Sequence, residues 1–172
     1  MSREHKIIFA GPTGAGKTTA IAQISEKPPV STDVANSDLR YGKATTTVAI
    51  DFGELALDGG EKLRLYGVPG QHRFSFIWEI AARGALGVIL IADNTLEDPM
   101  AELQFYLEGF DSFVKRGAAV VVVNRLETHP HPAEEDYVKM LMDRGTPLPV
   151  MACDPRKKDD VLTVLDVLLT VC

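Results

Sequence analysis

Short apolar runs rich in Val, Ile and Leu alternate with segments of helical period along the whole 172-residue chain. The first run, Lys6 to Ala10, passes through Gly11 to Lys17 into a helix that starts near Thr18 and stops before Pro28 and Pro29, because proline does not continue a helix interior. Val30 to Thr46 is polar, carries no clear period and reads as irregular. Alternation returns in Val48, Ile50 and Phe52 and again in Leu63 and Leu65, and the turn residues Asp58, Gly59 and Gly60 between them predict an antiparallel hairpin. A second irregular segment runs from Val68 to about Arg73. The continuous apolar runs Gly87 to Ala92 and Ala118 to Val123 are the pattern of strands covered on both faces. Met100 to Arg116, Pro132 to Arg144 and Asp159 to Val171 repeat apolar residues at helical spacing, as in Val161, Val164, Leu165 and Leu168. The expected architecture is α/β, a six-stranded mostly parallel sheet with one antiparallel hairpin strand and about five helices. Ligands in such sheets bind beyond the carboxyl ends of the strands. With no repeat, linker or low-complexity stretch, residues 1–172 read as a single domain.

Composition narrows the partners. A net charge of −6 leaves no surplus of Lys and Arg for a phosphate backbone, so nucleic acid is not an expected ligand. Cys153 and Cys172 are too few for a disulfide framework or a zinc site, and a reducing compartment fits them best. The longest apolar run, Ala85 to Ala92, is strand-sized and too short to span a bilayer, and Ser2, Arg3 and Glu4 do not form a signal peptide. Ser2 and the terminal Cys172 match no lipidation pattern. A cytoplasmic protein without an intrinsic membrane anchor is expected.

The loop after the first strand, Gly11-Pro12-Thr13-Gly14-Ala15-Gly16-Lys17-Thr18, is a full P-loop pattern in its required strand-to-helix setting, with Thr19 next on the helix. Glycines let successive backbone N–H groups and the helix N-terminus face phosphate oxygens. Lys17 neutralises charge there, and the Thr18 hydroxyl is a ligand for Mg²⁺. The run Thr128-His129-Pro130-His131-Pro132 has two histidines but no acidic or thiol partner at ligand spacing, and reads as a rigid loop before a helix. Phe74, Phe76 and Trp78 are expected to pack against the sheet, with part of the set available to a partner.

Gly70-Gln71-His72-Arg73-Phe74 before a helix resembles the second switch of the Ras superfamily of small GTPases. Thr47-Val48-Ala49-Ile50-Asp51-Phe52 is similar to the segment that leads from the first switch into a strand in Rab and Arf proteins. The triplet Thr45-Thr46-Thr47 and the wording Val68-Pro69-Gly70-Gln71 look most like a bacterial Ras-like branch related to the Mgl-type polarity GTPases. The resemblance covers essentially the whole chain. It implies a three-layer P-loop G domain that binds GTP and GDP with Mg²⁺, hydrolyses GTP slowly and signals through two switch segments. It also implies a Roadblock-type regulatory dimer, or another activating protein, as partner in bacterial polarity, motility or signalling.

Position by position, the resemblance assigns Mg²⁺ binding and γ-phosphate sensing to Thr47, with Thr45 or Thr46 as alternatives. Gly70 would donate its N–H to the γ-phosphate, Gln71 would orient the attacking water, and Arg40 would serve either as an arginine finger within the chain or as an exposed structural residue. Asn124-Arg125-Leu126-Glu127 stands where the family usually has Asn-Lys-x-Asp, so Glu127 takes the place of the carboxylate that reads guanine. Asp154-Pro155-Arg156 stands where a small residue usually offers a backbone N–H to the base, and proline has none. Gly67 stands where most relatives carry an Asp that holds a water on Mg²⁺, which predicts weak magnesium binding unless a nearby carboxylate substitutes. Asp93 is the candidate substitute, alongside its reading as a capping residue. Two rivals remain, a guanine-nucleotide scaffold without turnover and a P-loop ATPase or small-molecule kinase.

Overall fold

The computed structural model describes residues 3–35 and 47–172. Its strands are β1 Glu4–Ala10, β2 Val30–Ala35, β3 Thr47–Ala56, β4 Lys62–Gly67, β5 Ala85–Asp93, β6 Ala119–Asn124 and β7 Val150–Ala152. The helices are α1 Lys17–Ile24, α2 Ser75–Ala82, α3 Pro99–Gly109, α4 Asp111–Lys115, α5 Glu134–Asp143 and α6 Lys158–Val171. All seven strands form one sheet in the order β2-β3-β4-β1-β5-β6-β7. β3 is antiparallel to both of its neighbours, and every other pairing is parallel. The mostly parallel sheet with one antiparallel strand is therefore the expected one.

The strand and helix counts each rise by one. Val30–Ala35, expected to be irregular, is β2, an edge strand paired with β3 from Val30↔Phe52 to Ala35↔Thr47. An edge strand needs only one covered face and tolerates the polar Ser31, Thr32 and Asp33, so it gives little apolar signal. The expected helix from Met100 to Arg116 divides at Gly109–Phe110 into α3 and α4. A Cβ on Gly109 would lie 2.6 Å from the Trp78 ring, so glycine admits the indole at a point where it also weakens the helix.

The three layers follow from the strict alternation of β1. Ile8 and Ala10 enter a core with Trp78, Leu103, Tyr106 and Leu141 of α2, α3 and α5. Ile7 and Phe9 enter the opposite core with Ile21, Ile24, Val161 and Leu165 of α1 and α6. Parallel β5 and β6, covered on both sides, are almost wholly buried, as their unbroken apolar sequences require. Among the described residues no helix is long and apolar enough to cross a membrane. The carboxyl ends of β1, β4, β5, β6 and β7 gather their following loops at one edge of the sheet, and the opposed direction of β3 brings Asp51 level with Gly67 at the end of β4.

Candidate functional site

Two cavities lie along the P-loop, and Gly14 borders both. One, of about 390 Å³, is bounded by Thr19, Asn124, Glu127, Asp154 and Arg156. The other, of about 300 Å³, is bounded by Thr13, Lys17, Thr18, Asp51, Gly70 and Gln71. Thr13, Lys17 and Thr18 of the loop thus border one compartment, while Gly16 and Thr19 border the other together with the loops after β6 and β7. Gly11, Gly14 and Gly16 all have positive φ, at 154°, 81° and 108°, which is the curl that lets the loop turn its N–H groups inward.

Lys17 is 9% exposed and donates to the Gly11 carbonyl at 2.6 Å and the Pro12 carbonyl at 2.8 Å. Burial lowers its pKa to about 8, and the negative charge of Asp51 opposes that drop. The ammonium is a buried cation waiting on the loop with one strong anion nearby. That anion was not foreseen as a site residue. The Thr18 hydroxyl donates to Asp51 Oδ2, and Asp51 and Gly67 are register partners across β3 and β4. A Cβ built on Gly67 would lie 3.3 Å from Asp51 Cβ and 3.5 Å from its Oδ2. The carboxylate that the sequence lacks at position 67 therefore stands opposite it, on the neighbouring strand.

Asp93, the expected substitute, is engaged elsewhere. It pairs with Arg125 and accepts from the Thr95 backbone N–H at 3.0 Å and the Thr95 hydroxyl at 2.7 Å. Burial pushes its carboxyl upward, but the Arg125 guanidinium and the Thr95 bonds outweigh this and hold it below the usual carboxylate range. Asp93 is thus taken up in the turn after β5, while the cap of α3 falls to Asp98 and the carboxylate beside Thr18 is Asp51.

Oxygen donors suit a hard cation such as Mg²⁺, and Thr18 with Asp51 offers a hydroxyl and a carboxylate beside the Lys17 end of the cradle. Among the described residues no group of three or more His, Cys, Asp or Glu is assembled, so a magnesium ion here would draw its remaining ligands from phosphate and water. Thr47 is the first residue of β3. Arg40, Thr45 and Thr46 lie outside the described residues.

Gly70 touches the cradle directly. A Cβ there would sit 2.4 Å from the Thr13 nitrogen and 2.6 Å from the Gly11 carbonyl oxygen, so only glycine lets this loop rest on the P-loop. Gln71 is exposed, and Arg73 Nε donates to its Oε1 at 2.8 Å. Trp78 is buried with Phe74 and Phe76 partly buried against the same core, so the packing expectation for this trio holds.

In the larger cavity, the Asn124 amide donates to the Ala15 carbonyl at 2.9 Å, which ties β6 to the P-loop. Arg125, in the left-handed region at φ 68°, reaches from its ion pair with Asp93 to the Gly14 carbonyl at 3.1 Å. Glu127 is exposed and faces Lys157 at 3.6 Å. Pro155 is buried against Gly16, where a Cβ would lie 2.6 Å from its ring. The Arg156 backbone N–H donates to Asp154 Oδ1 at 3.0 Å, and the Arg156 side chain holds the same carboxylate, lowering its pKa to about 2. The backbone N–H that follows the proline is therefore engaged by Asp154.

No family model matches the chain. Ras-related protein Rab-18-B of Danio rerio is 28% identical over 127 residues, covering 71% of this chain and 57% of that protein. Ras-related protein Rab-8A of Bos taurus is 30% identical over 146 residues, covering 81% and 65%. Ras-related protein Rab-13 of Canis lupus familiaris is 25% identical over 146 residues, covering 81% and 66%. The chain thus spans less than two thirds of the length of these relatives. The crystal structure of the G domain of the T. maritima FeoB iron transporter superposes with a TM-score of 0.69 at 15% identity, over 98% of this chain and 99% of that one, and shows the shared fold. With its P-loop, a second loop packed against it at Gly70 and these relatives, the chain belongs to the Ras-like P-loop GTPase superfamily.

Proposed function

We propose that this chain binds GTP and GDP with Mg²⁺ and works as a molecular switch that hydrolyses GTP slowly. The observation that carries this reading is the seat of Gly70 on the P-loop beside Lys17, because any change at the phosphate end of the cleft is met by the loop that holds Gln71. Thr18 and Asp51 would hold Mg²⁺, which when bound neutralises phosphate charge. Lys17 supplies the fixed positive charge and the curled loop supplies N–H donors. Gln71 would orient water once it leaves Arg73. A regulatory dimer of the Roadblock type in bacterial polarity, motility or signalling is the proposed partner, supported by the wording of Thr45–Thr47 and Val68–Gln71. A cytoplasmic place of work is supported by the unpaired Cys153 and Cys172.

Guanine preference is tested by comparing Kd for GDP and ADP in wild type and Glu127→Ala. Wild type is expected to favour GDP, and the variant to lose about tenfold of that preference, the value of one charge-assisted hydrogen-bonding partner. Tighter ADP binding in wild type would replace this reading with the ATPase one.

One contact favours a second reading, a nucleotide-binding scaffold without turnover, since Arg73 holds the carboxamide of Gln71. Single-turnover hydrolysis separates the two. Wild type is expected to turn over on the order of 10⁻⁴ s⁻¹, as unassisted small GTPases do, and Gln71→Leu to be slower with unchanged GTP affinity. Absence of turnover in both wild type and Arg73→Ala would establish the scaffold.

A further inference from the structure

Two consecutive carbonyls of the loop after β4 are fastened to the helices behind it. The Trp78 indole N–H of α2 donates to the Pro69 carbonyl at 2.9 Å, and the Tyr106 hydroxyl of α3 donates to the Gly70 carbonyl at 2.7 Å. A trans peptide unit points its C=O and its N–H to opposite sides. With both carbonyls drawn toward Trp78 and Tyr106, the N–H groups of Gly70 and Gln71 turn away from these helices. On its other flank Gly70 rests against Thr13 and Gly11 of the phosphate cradle.

Tyr106 is 0% exposed and stacks on Trp78 with ring centroids 4.9 Å apart, so its hydroxyl has little freedom to choose another orientation. Its one rival acceptor is Glu102 Oε1 at 3.2 Å, which already meets His72 Nε2 at 2.7 Å. The hydroxyl proton lies within reach of both oxygens, and the Gly70 carbonyl is the nearer. Burial first, and the Glu102 charge second, raise the phenol pKa far above its ordinary value, so Tyr106 remains a donor.

We propose that Tyr106, backed by Trp78, is a positioning residue for phosphate sensing, holding the 69–71 backbone so that its N–H groups face the end of the cleft where a third phosphate would lie. The proposal rests on the GTP-switch reading and gives α3 a direct hold on the sensing loop.

The test is Tyr106→Phe, which keeps the ring on Trp78 and removes the hydroxyl alone, with Kd measured for GDP and for the slowly hydrolysed analogue GTPγS. GDP affinity is expected to stay within about twofold of wild type, while the GTPγS-to-GDP preference falls about five- to tenfold, the worth of one hydrogen bond. The hydrolysis kcat should fall, and KM should rise about as much as the GTPγS Kd does, because chemistry this slow makes KM track Kd. Trp78→Phe should shift the same preference, and the double variant should lose less than the product of the single losses, because both bonds fasten one segment. If both Kd values rise equally, or the preference stays at the wild-type value, the residue is merely structural and the proposal is overturned. Should Tyr106→Phe fail to fold, hydrogen exchange on wild type decides. Gly70 and Gln71 amides must be more protected with GTPγS than with GDP, and equal protection overturns the proposal. A wild type that binds neither nucleotide overturns the GTP-switch reading itself, which these comparisons keep distinct.

Discussion

Lys17→Ala is expected to reduce affinity for GTP by more than about a hundredfold and for GDP by at least about tenfold, since charge-assisted bonds to phosphate contribute roughly 1.5–3 kcal/mol each and the ammonium would reach the β- and γ-phosphates, of which GDP has only the first. The ammonium already sits in the cradle, nine-tenths buried and bonded to the Gly11 and Pro12 carbonyls. Little reorganisation is then needed when phosphate arrives. Titration calorimetry measures the loss, and thermal melts supply a check that does not depend on activity. Excess GDP should raise the Tm of wild type by mass action and raise the Tm of Lys17→Ala less. Equal affinity in the two proteins would show that the loop is not a phosphate site.

The second large effect belongs to Asp51. Asp51→Ala is expected to weaken the Mg²⁺ dependence of GDP retention by about 10- to 100-fold, the usual cost of losing a group that orients a metal ligand. The measurement is the rate of GDP release against magnesium concentration. The exchange variant Asp51→Ala/Gly67→Asp is expected to recover most of the loss, because it moves the carboxylate from one register partner to the other. Asp93→Asn should leave the magnesium midpoint alone, its acid being committed to Arg125 and Thr95. A midpoint unmoved by Asp51→Ala would remove Asp51 from the metal site.

The phosphate cradle was legible in sequence because all its parts lie within eight consecutive residues, Gly11 to Thr18, between a strand and a helix. The layers were legible for a similar reason, since burial on both faces writes unbroken apolar runs such as Val120 to Val123. The β3–β4 hairpin announced itself through Asp58-Gly59-Gly60, with Gly59 and Gly60 both at positive φ. What escaped depended on partners distant in the chain. Asp51 reads as one more polar residue in an alternating strand until the antiparallel register sets it against Gly67 and the first turn of α1. Asp93 looked available because its partner, Arg125, comes from the loop after the next strand. Trp78 was expected to pack against the sheet, and its indole, with the Tyr106 hydroxyl, proves to be a donor to the second loop. Hydrophobic patterning locates a ring but does not say where its polar edge points.

The cross-strand pairing of Asp51 with Gly67 also constrains how such a chain can change by mutation. Between a protein with its acid at 67 and this one lie two single substitutions, and the order matters. Losing the first acid before gaining the second passes through a form with neither carboxylate, whose grip on magnesium would be about 10- to 100-fold weaker. Gaining before losing passes through a form with both, in which like charges face each other across neighbouring strands and repel. On the proposed magnesium reading a bound dication would offset that repulsion, so the two-acid form would be the better tolerated of the two. The exchange of an acid between strands is thus a two-step path with one favoured intermediate, and it leaves the fold untouched because neither step alters the register of β3 on β4.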